Sequence, residues 1–123
     1  MNTNFSQYSL IEYGTLSDKD FTLIKKCRGE SNKLGFAYQL IFIRLLNRAP
    51  RQSPFEIIEE IVIYAGMQLS LDTAIIDLYS SRQKISAHQK IITSHLLMTI
   101  VTNIVGSFFR RYCCSIPMNN AYI

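Results

Sequence analysis

The sequence is short of the residues that carry chemistry on their own. Three cysteines and two histidines occur in 123 residues, and neither set is arranged as a site. Cys113 and Cys114 are adjacent and cannot readily bridge to each other, while no Cys-x-x-Cys spacing exists to hold zinc. Cys27 stands apart, so reduced thiols and a cytoplasmic location are expected. His88 and His95 would share one helix face, but no carboxylate supports them as metal ligands, and core or surface roles are expected instead. No nucleophile, base and orienting group form a set, so neither catalysis nor a cofactor is expected.

Glycine and proline are also sparse, at five and three, which excludes flexible linkers and short repeats. Charged residues make up 18% against 48% hydrophobic, too apolar a balance for a disordered chain. Strand-type alternation bounded by hairpin turns is missing. The opening MNTNFSQYSLIEY has neither a basic start nor a continuous apolar run, so it does not read as a secretory signal.

The formal charge is a modest +4, but it is unevenly placed. Between Lys25 and Arg51 lie Lys25, Lys26, Arg28, Lys33, Arg44, Arg48 and Arg51, with Glu30 as the single acid. Between Phe55 and Asp77 the balance reverses: Glu56, Glu59, Glu60, Asp72 and Asp77 occur with no base. A basic face is therefore available despite the small total.

Helical signals follow in order. Leu16-Ser17-Asp18-Lys19-Asp20-Phe21 offers a serine cap, an answering aspartate at the third helical position and a hydrophobic staple. It predicts a helix over 18–28 with Phe21, Ile24 and Cys27 on one face and Gly29 as a left-handed stop. Ser31 or Asn32 is expected to cap a second helix over 32–47, apolar around most of its circumference and therefore central to a bundle. Lys33, Ala37, Leu40, Arg44 and Arg48 form one edge of it at helical spacing. Ser53-Pro54-Phe55-Glu56 predicts the start of a third helix running to about Gln68, and Asp72 caps a short fourth through Tyr79. The fold class is all-α: a small bundle of about four core helices, with a divergent apolar C-terminal helix.

Ile91 to Phe109 carries no formal charge, which approaches the length of a membrane span. Thr93, Ser94, His95, Thr99, Thr102, Asn103 and Ser107 make that span a poor one, and a packed helix is the preferred reading. On this division, 1–92 forms the helical domain and 93–123 an apolar tail that contributes little to its folding.

The stretch LSDKDFTLIKKCRGESNKLGFAYQLIFIR resembles the N-terminal region of transposases of the Tn-three family of replicative transposons. The matching residues are Leu16, Ser17, Asp20, Leu23, Ile24, Arg28, Gly29, Asn32, Lys33, Leu34, Gly35, Phe36, Ala37, Gln39, Leu40 and Arg44. Tyr64, Ala65, Gln68, Leu69, Asp72, Tyr79, Arg82 and His88 fall near later landmarks. The resemblance covers about 16–92. Leu46-Asn47 stands where the family commonly has Pro-Gly, and the sequence beyond Ile92 departs in the way a frameshift or truncation near Thr93 would produce.

The resemblance implies a DNA-binding fragment that recognises terminal inverted repeats, lacking the distant Asp-Asp-Glu centre and so without enzymatic activity. Its partner would be double-stranded DNA at transposon ends, with self-association as a further interaction. Lys25, Lys26, Arg28, Lys33, Arg44 and Arg48 would meet phosphates, with Asn32 and Gln39 as polar contacts. Competing readings accompany each. Arg44 and Arg48 could pair internally with Glu56, Glu59 or Glu60; Gln39 could be a buried amide bonded to backbone; Gly35 would serve helix packing. A membrane-associated or helix-pairing protein using 91–109, or an inert relic, are the alternatives in function.

Overall fold

The computed structural model describes residues 5–52 and 54–115, with side chains as far as Thr99. Among these residues lie five α-helices and one 3-10 helix: α1 Gln7–Gly14, α2 Asp18–Lys25, α3 Glu30–Leu46, α4 Glu59–Leu69, the 3-10 helix Thr73–Leu78 and α5 Arg82–Ser115. Among the described residues the only β pairing is an isolated bridge between Gln52 and Phe55, so the all-α expectation holds. The chain divides into two units, Met1–Lys90 and Ile91–Ile123.

In the first unit α3 is the hub. Every residue from Leu34 to Phe42 on it is buried, and α1, α2, α4 and the 3-10 helix all pack against it. Each large apolar side chain so enclosed contributes roughly 1.5–3 kcal/mol relative to exposure. The near-continuous apolar run read from the sequence is thus the signature of a helix wrapped on all sides.

Local signals set several boundaries as expected. At α2 the Ser17 hydroxyl accepts from the Asp20 backbone N–H at 3.2 Å, and the Asp20 carboxylate accepts from the Ser17 backbone N–H at 2.9 Å. This reciprocal pair satisfies two N–H groups that a helix start otherwise leaves open. Gly29 does take a positive φ of 84°, but as the N-cap of α3 rather than as the stop of α2, whose C-cap is Lys26. Asn47 takes the left-handed conformation at φ 60° and its N–H reaches the Ile43 carbonyl at 2.8 Å. Asparagine tolerates this region better than most side chains, so the α3 terminus closes without a Pro-Gly pair. Asp72 caps the next element through the Ala74 N–H at 3.0 Å, although that element winds as a 3-10 helix.

Other boundaries differ, each for a physical reason. The helix α1 was not anticipated; Ser6 caps it by accepting from the Ser9 N–H at 3.1 Å. Gly14 lets it approach closely, because a Cβ there would lie 3.1 Å from both Ile41 and the Tyr64 ring. Helix α2 stops at Lys25 rather than Arg28. Helix α3 starts at Glu30 with Gly29 as its cap, so Ser31 and Asn32 lie inside it, and Asn32 Nδ2 donates back to the Arg28 carbonyl at 2.7 Å.

The largest shift is at α4, which begins five residues later than the Ser53-Pro54 signal implied. Ser53 itself lies outside the described residues. Tyr38 holds the following segment extended: its hydroxyl donates to the Glu56 carbonyl at 2.6 Å and accepts from the Ile58 N–H at 2.9 Å. Burial pushes the Tyr38 phenol far above its ordinary range, so it keeps the proton this bracket needs. Phe55 then packs edge-on to both Tyr38 and Tyr79, with centroids 5.7 Å from each. Two tertiary hydrogen bonds and an aromatic cluster outweigh a local helix start.

In the second unit, α5 continues as helix from Ile91 to Ser115. No helix among the described residues is long and apolar enough to cross a membrane; of the 91–109 span read from sequence, the side chains beyond Thr99 lie outside the described residues. The Cys113 and Cys114 side chains lie outside the described residues.

Candidate nucleic-acid interface

The eight residues singled out from sequence separate into two groups. Lys25 in the last turn of α2, Lys26 at its end and Arg28 in the link are exposed, while Asn32 and Lys33 in the first turn of α3 are half-buried. All five fall within the α2–α3 junction. The charge of Lys33 reaches the Cys27 thiol, opposing the stronger effect of burial that pushes that thiol up. Gly29 caps α3 with no side-chain acceptor, so the positive end of that helix's dipole opens among these cations. Glu30 is the one acidic side chain beside them.

Arg44, Arg48 and Gln39 belong elsewhere. Arg44 is eleven residues beyond Lys33 on α3, a rise of about 16 Å, and grips Asp20 with both terminal nitrogens at 2.7 Å. The Asp20 side chain is fully buried and that of Arg44 is 22% exposed. Asp20 therefore has two tasks: its carboxylate completes the α2 cap and neutralises Arg44 in the interior. The sequence exposes the first task but not the second, since the partners are 24 positions apart.

Arg48 forms a bidentate pair with Glu56 at 2.8 Å on both arms, and its guanidinium lies 5.1 Å from the centre of the Phe42 ring. The internal-pairing alternative thus describes both arginines, with Asp20 rather than a third-helix glutamate serving Arg44. Bonded so, neither presents a free guanidinium to a phosphate.

The Arg48 guanidinium, aided by the Arg51 backbone N–H, holds the Glu56 carboxyl down to about 2, against a smaller opposing effect of burial. Because the folded value lies below the ordinary 4.5, the stabilisation is full above pH 4.5 and fades as pH falls towards 2. Urea midpoints measured across that range should fall for the native chain, and more shallowly for Glu56→Gln. Equal slopes would show that Glu56 is not held as described.

Gln39 is fully buried. Its Nε2 donates to the Tyr79 hydroxyl at 2.7 Å and to the Ile85 carbonyl at 3.2 Å, and its Oε1 accepts from Gln89 Nε2 at 2.8 Å. With its amide committed at both ends it cannot read a base edge from this position, which corrects that expectation. The buried-amide alternative holds, although side chains as well as backbone supply the partners.

Sequence reasoning also missed Gln68. Its amide accepts from the Leu16 N–H and donates to the Gly14 carbonyl, both at 2.8 Å, clasping the link between α1 and α2. Among the described residues no group of three or more histidine, cysteine, aspartate or glutamate side chains could hold a metal ion.

An exposed cationic junction on a small helical unit suits an anionic partner, and the wider family places the chain more closely. Residues 1–105 match the family described as a domain of unknown function (DUF4158), and the chain belongs to that family. Over 77 residues, 63% of its length, it is 36% identical to the transposase for transposon Tn501 of Pseudomonas aeruginosa. It spans 8% of that relative. The chain is therefore transposase-related over this region. No solved structure matches it.

Proposed function

We propose that this chain is a DNA-binding fragment of the Tn-three transposase type, which recognises the terminal inverted repeats of a transposon and performs no catalysis itself. The observation that carries the reading is the α2–α3 junction, where Lys25, Lys26, Arg28 and Lys33 gather about a helix start that no side chain caps. Phosphate suits both the cations and the helix dipole. Kinship with a transposase supplies the class of DNA, and Asn32 is the polar side chain placed to discriminate sequence. A cytoplasmic location accords with such a partner.

Fluorescence anisotropy on cognate and random duplexes at several salt concentrations tests this. With about four phosphate contacts the log-log slope of affinity against salt should be roughly −3 to −4. Lys25→Ala and Lys26→Ala should each reduce its magnitude by about one, whereas Asn32→Ala should narrow the gap between the two duplexes. A folded protein that binds neither duplex at low salt would refute the proposal.

A further inference from the structure

Six side chains of the first unit form a hydrogen-bond relay in which the donors of Ser86, Gln52, Gln89 and Gln39 all point the same way. Ser86 Oγ donates to Gln52 Oε1 at 3.3 Å, Gln52 Nε2 to Gln89 Oε1 at 2.9 Å and Gln89 Nε2 to Gln39 Oε1 at 2.8 Å. Gln39 Nε2 then donates to the Tyr79 hydroxyl at 2.7 Å, and that hydroxyl meets His88 Nδ1 at 2.6 Å. Gln39 is fully buried and Tyr79 3% exposed. The hydroxyl accepts from Gln39, and its own proton finds an acceptor in His88 when Nδ1 of the neutral ring is unprotonated, the tautomer that completes the relay.

We propose that His88 is a proton-operated latch: neutral, it terminates this relay and fastens the start of α5 and the end of the 3-10 segment to α3; protonated, it releases them. A protonated imidazole is a donor at both nitrogens. Nδ1–H would then face a hydroxyl whose proton has lost its acceptor in the interior, and an unmade bond there is costly. Turning the hydroxyl about does not restore the relay, because Gln39 also donates to it.

The surroundings give a charged imidazole little support. From α3 it meets the edge-on Phe36 ring at 5.1 Å, and the Tyr79 ring stacks on it at 5.6 Å. Gln39 behind Tyr79 is uncharged. Cys27, whose charge would be felt at the Tyr79 phenol, is kept as the neutral thiol by burial. Lys84, on the preceding turn of α5, repels a second cation. Burial and then Lys84 accordingly depress the His88 pKa below its ordinary 6.5. A folded value below the unfolded one means that stability is full above pH 6.5 and declines as pH falls towards the folded value. The folding constant drops tenfold for each unit between the two.

The latch stands apart from the DNA-binding reading and is tested on the full chain without DNA. Urea unfolding between pH 5 and 8 should show stability falling below pH 6.5, and His88→Gln, whose amide oxygen accepts from Tyr79 but does not titrate, should remove that fall. His95 is retained in both proteins, so the difference reports His88 alone. In the native chain, the NMR titration of the backbone-assigned His88 ring should have its midpoint below 6.5, and Tyr79→Phe should raise it. Matching pH profiles for the native chain and a folded His88→Gln, or a native His88 midpoint at or above 6.5, would overturn the proposal. If His88→Gln does not fold, the native titration decides.

Discussion

Gly35→Ala should be among the most damaging single-methyl changes in the protein, lowering unfolding free energy by about 3 kcal/mol, at the upper end for overpacking. A Cβ at Gly35 would fall into the Tyr79 ring, with its nearest contacts at Cγ and both Cδ atoms. That ring cannot readily retreat: it packs on Phe55 and His88, and its hydroxyl is held by Gln39 and His88. Elsewhere in a helix, glycine to alanine gains up to about 1 kcal/mol of propensity. The same substitution in a Tyr79→Ala background should therefore be neutral or stabilising, and this reversal of sign identifies the ring as the cause. Urea midpoints of the four proteins complete the cycle. A cost below about 0.5 kcal/mol for Gly35→Ala in the native background would show that α3 and Tyr79 do not meet as described.

Arg44→Ala should cost about 3–5 kcal/mol, the usual penalty for stranding one member of a buried ion pair. Asp20, fully enclosed, would lose the cation that neutralises its charge in the interior. The reverse change, Asp20→Ala, should lie nearer the lower bound: Arg44 retains some access to solvent, although the Ser17 N–H loses its carboxylate acceptor while the Ser17 hydroxyl keeps its bond to the residue-20 N–H. The double variant should cost less than the two singles summed, with the difference giving the coupling in the pair. Arg44→Ala should lower the folded fraction while leaving the salt slope of DNA binding by the folded protein unchanged. A reduced slope with unchanged urea stability would instead place Arg44 at the phosphates.

These two sites show where the sequence was and was not legible. The Ser17–Asp20 cap could be read directly, because both partners fall within one turn and no other part of the chain is needed to form it. Gly29 was readable only as a positive-φ position: it opens α3 instead of closing α2. The central place of α3 was also open, since an apolar circumference leaves a helix no face for water. The partner of Arg44 was not, because charge pattern favours the nearby glutamates, and only packing brings Asp20 beneath α3.

The start of α4 failed in the opposite sense. Proline and glutamate after Ser53 announce a helix clearly, but the Tyr38 hydroxyl, from a distant turn of α3, claims the Glu56 carbonyl and the Ile58 N–H. The cationic junction was partly legible: Lys25, Lys26, Arg28, Asn32 and Lys33 are close in sequence and remain together in space. Arg44 and Arg48 shared their edge only on a helical projection, which shows angular position and hides who answers each charge. Gln39 was the hardest to place, since an amide that reads a base and one that closes a core network are the same group in a sequence.

The Gln68 clasp bears on the order in which the chain acquires its shape. Its partners Leu16 and Gly14 lie 52 and 54 positions away, and closing a loop of that length costs roughly 3–4 kcal/mol of chain entropy before any contact compensates. Helix α1 leaves the ribosome before α4, and the link that follows it cannot be clasped until α4 has emerged. Throughout that interval Gly14 has no Tyr64 ring to pack against. A segment made before α4 is thus secured only after it, and a helix finished early stays unclasped until a later one arrives.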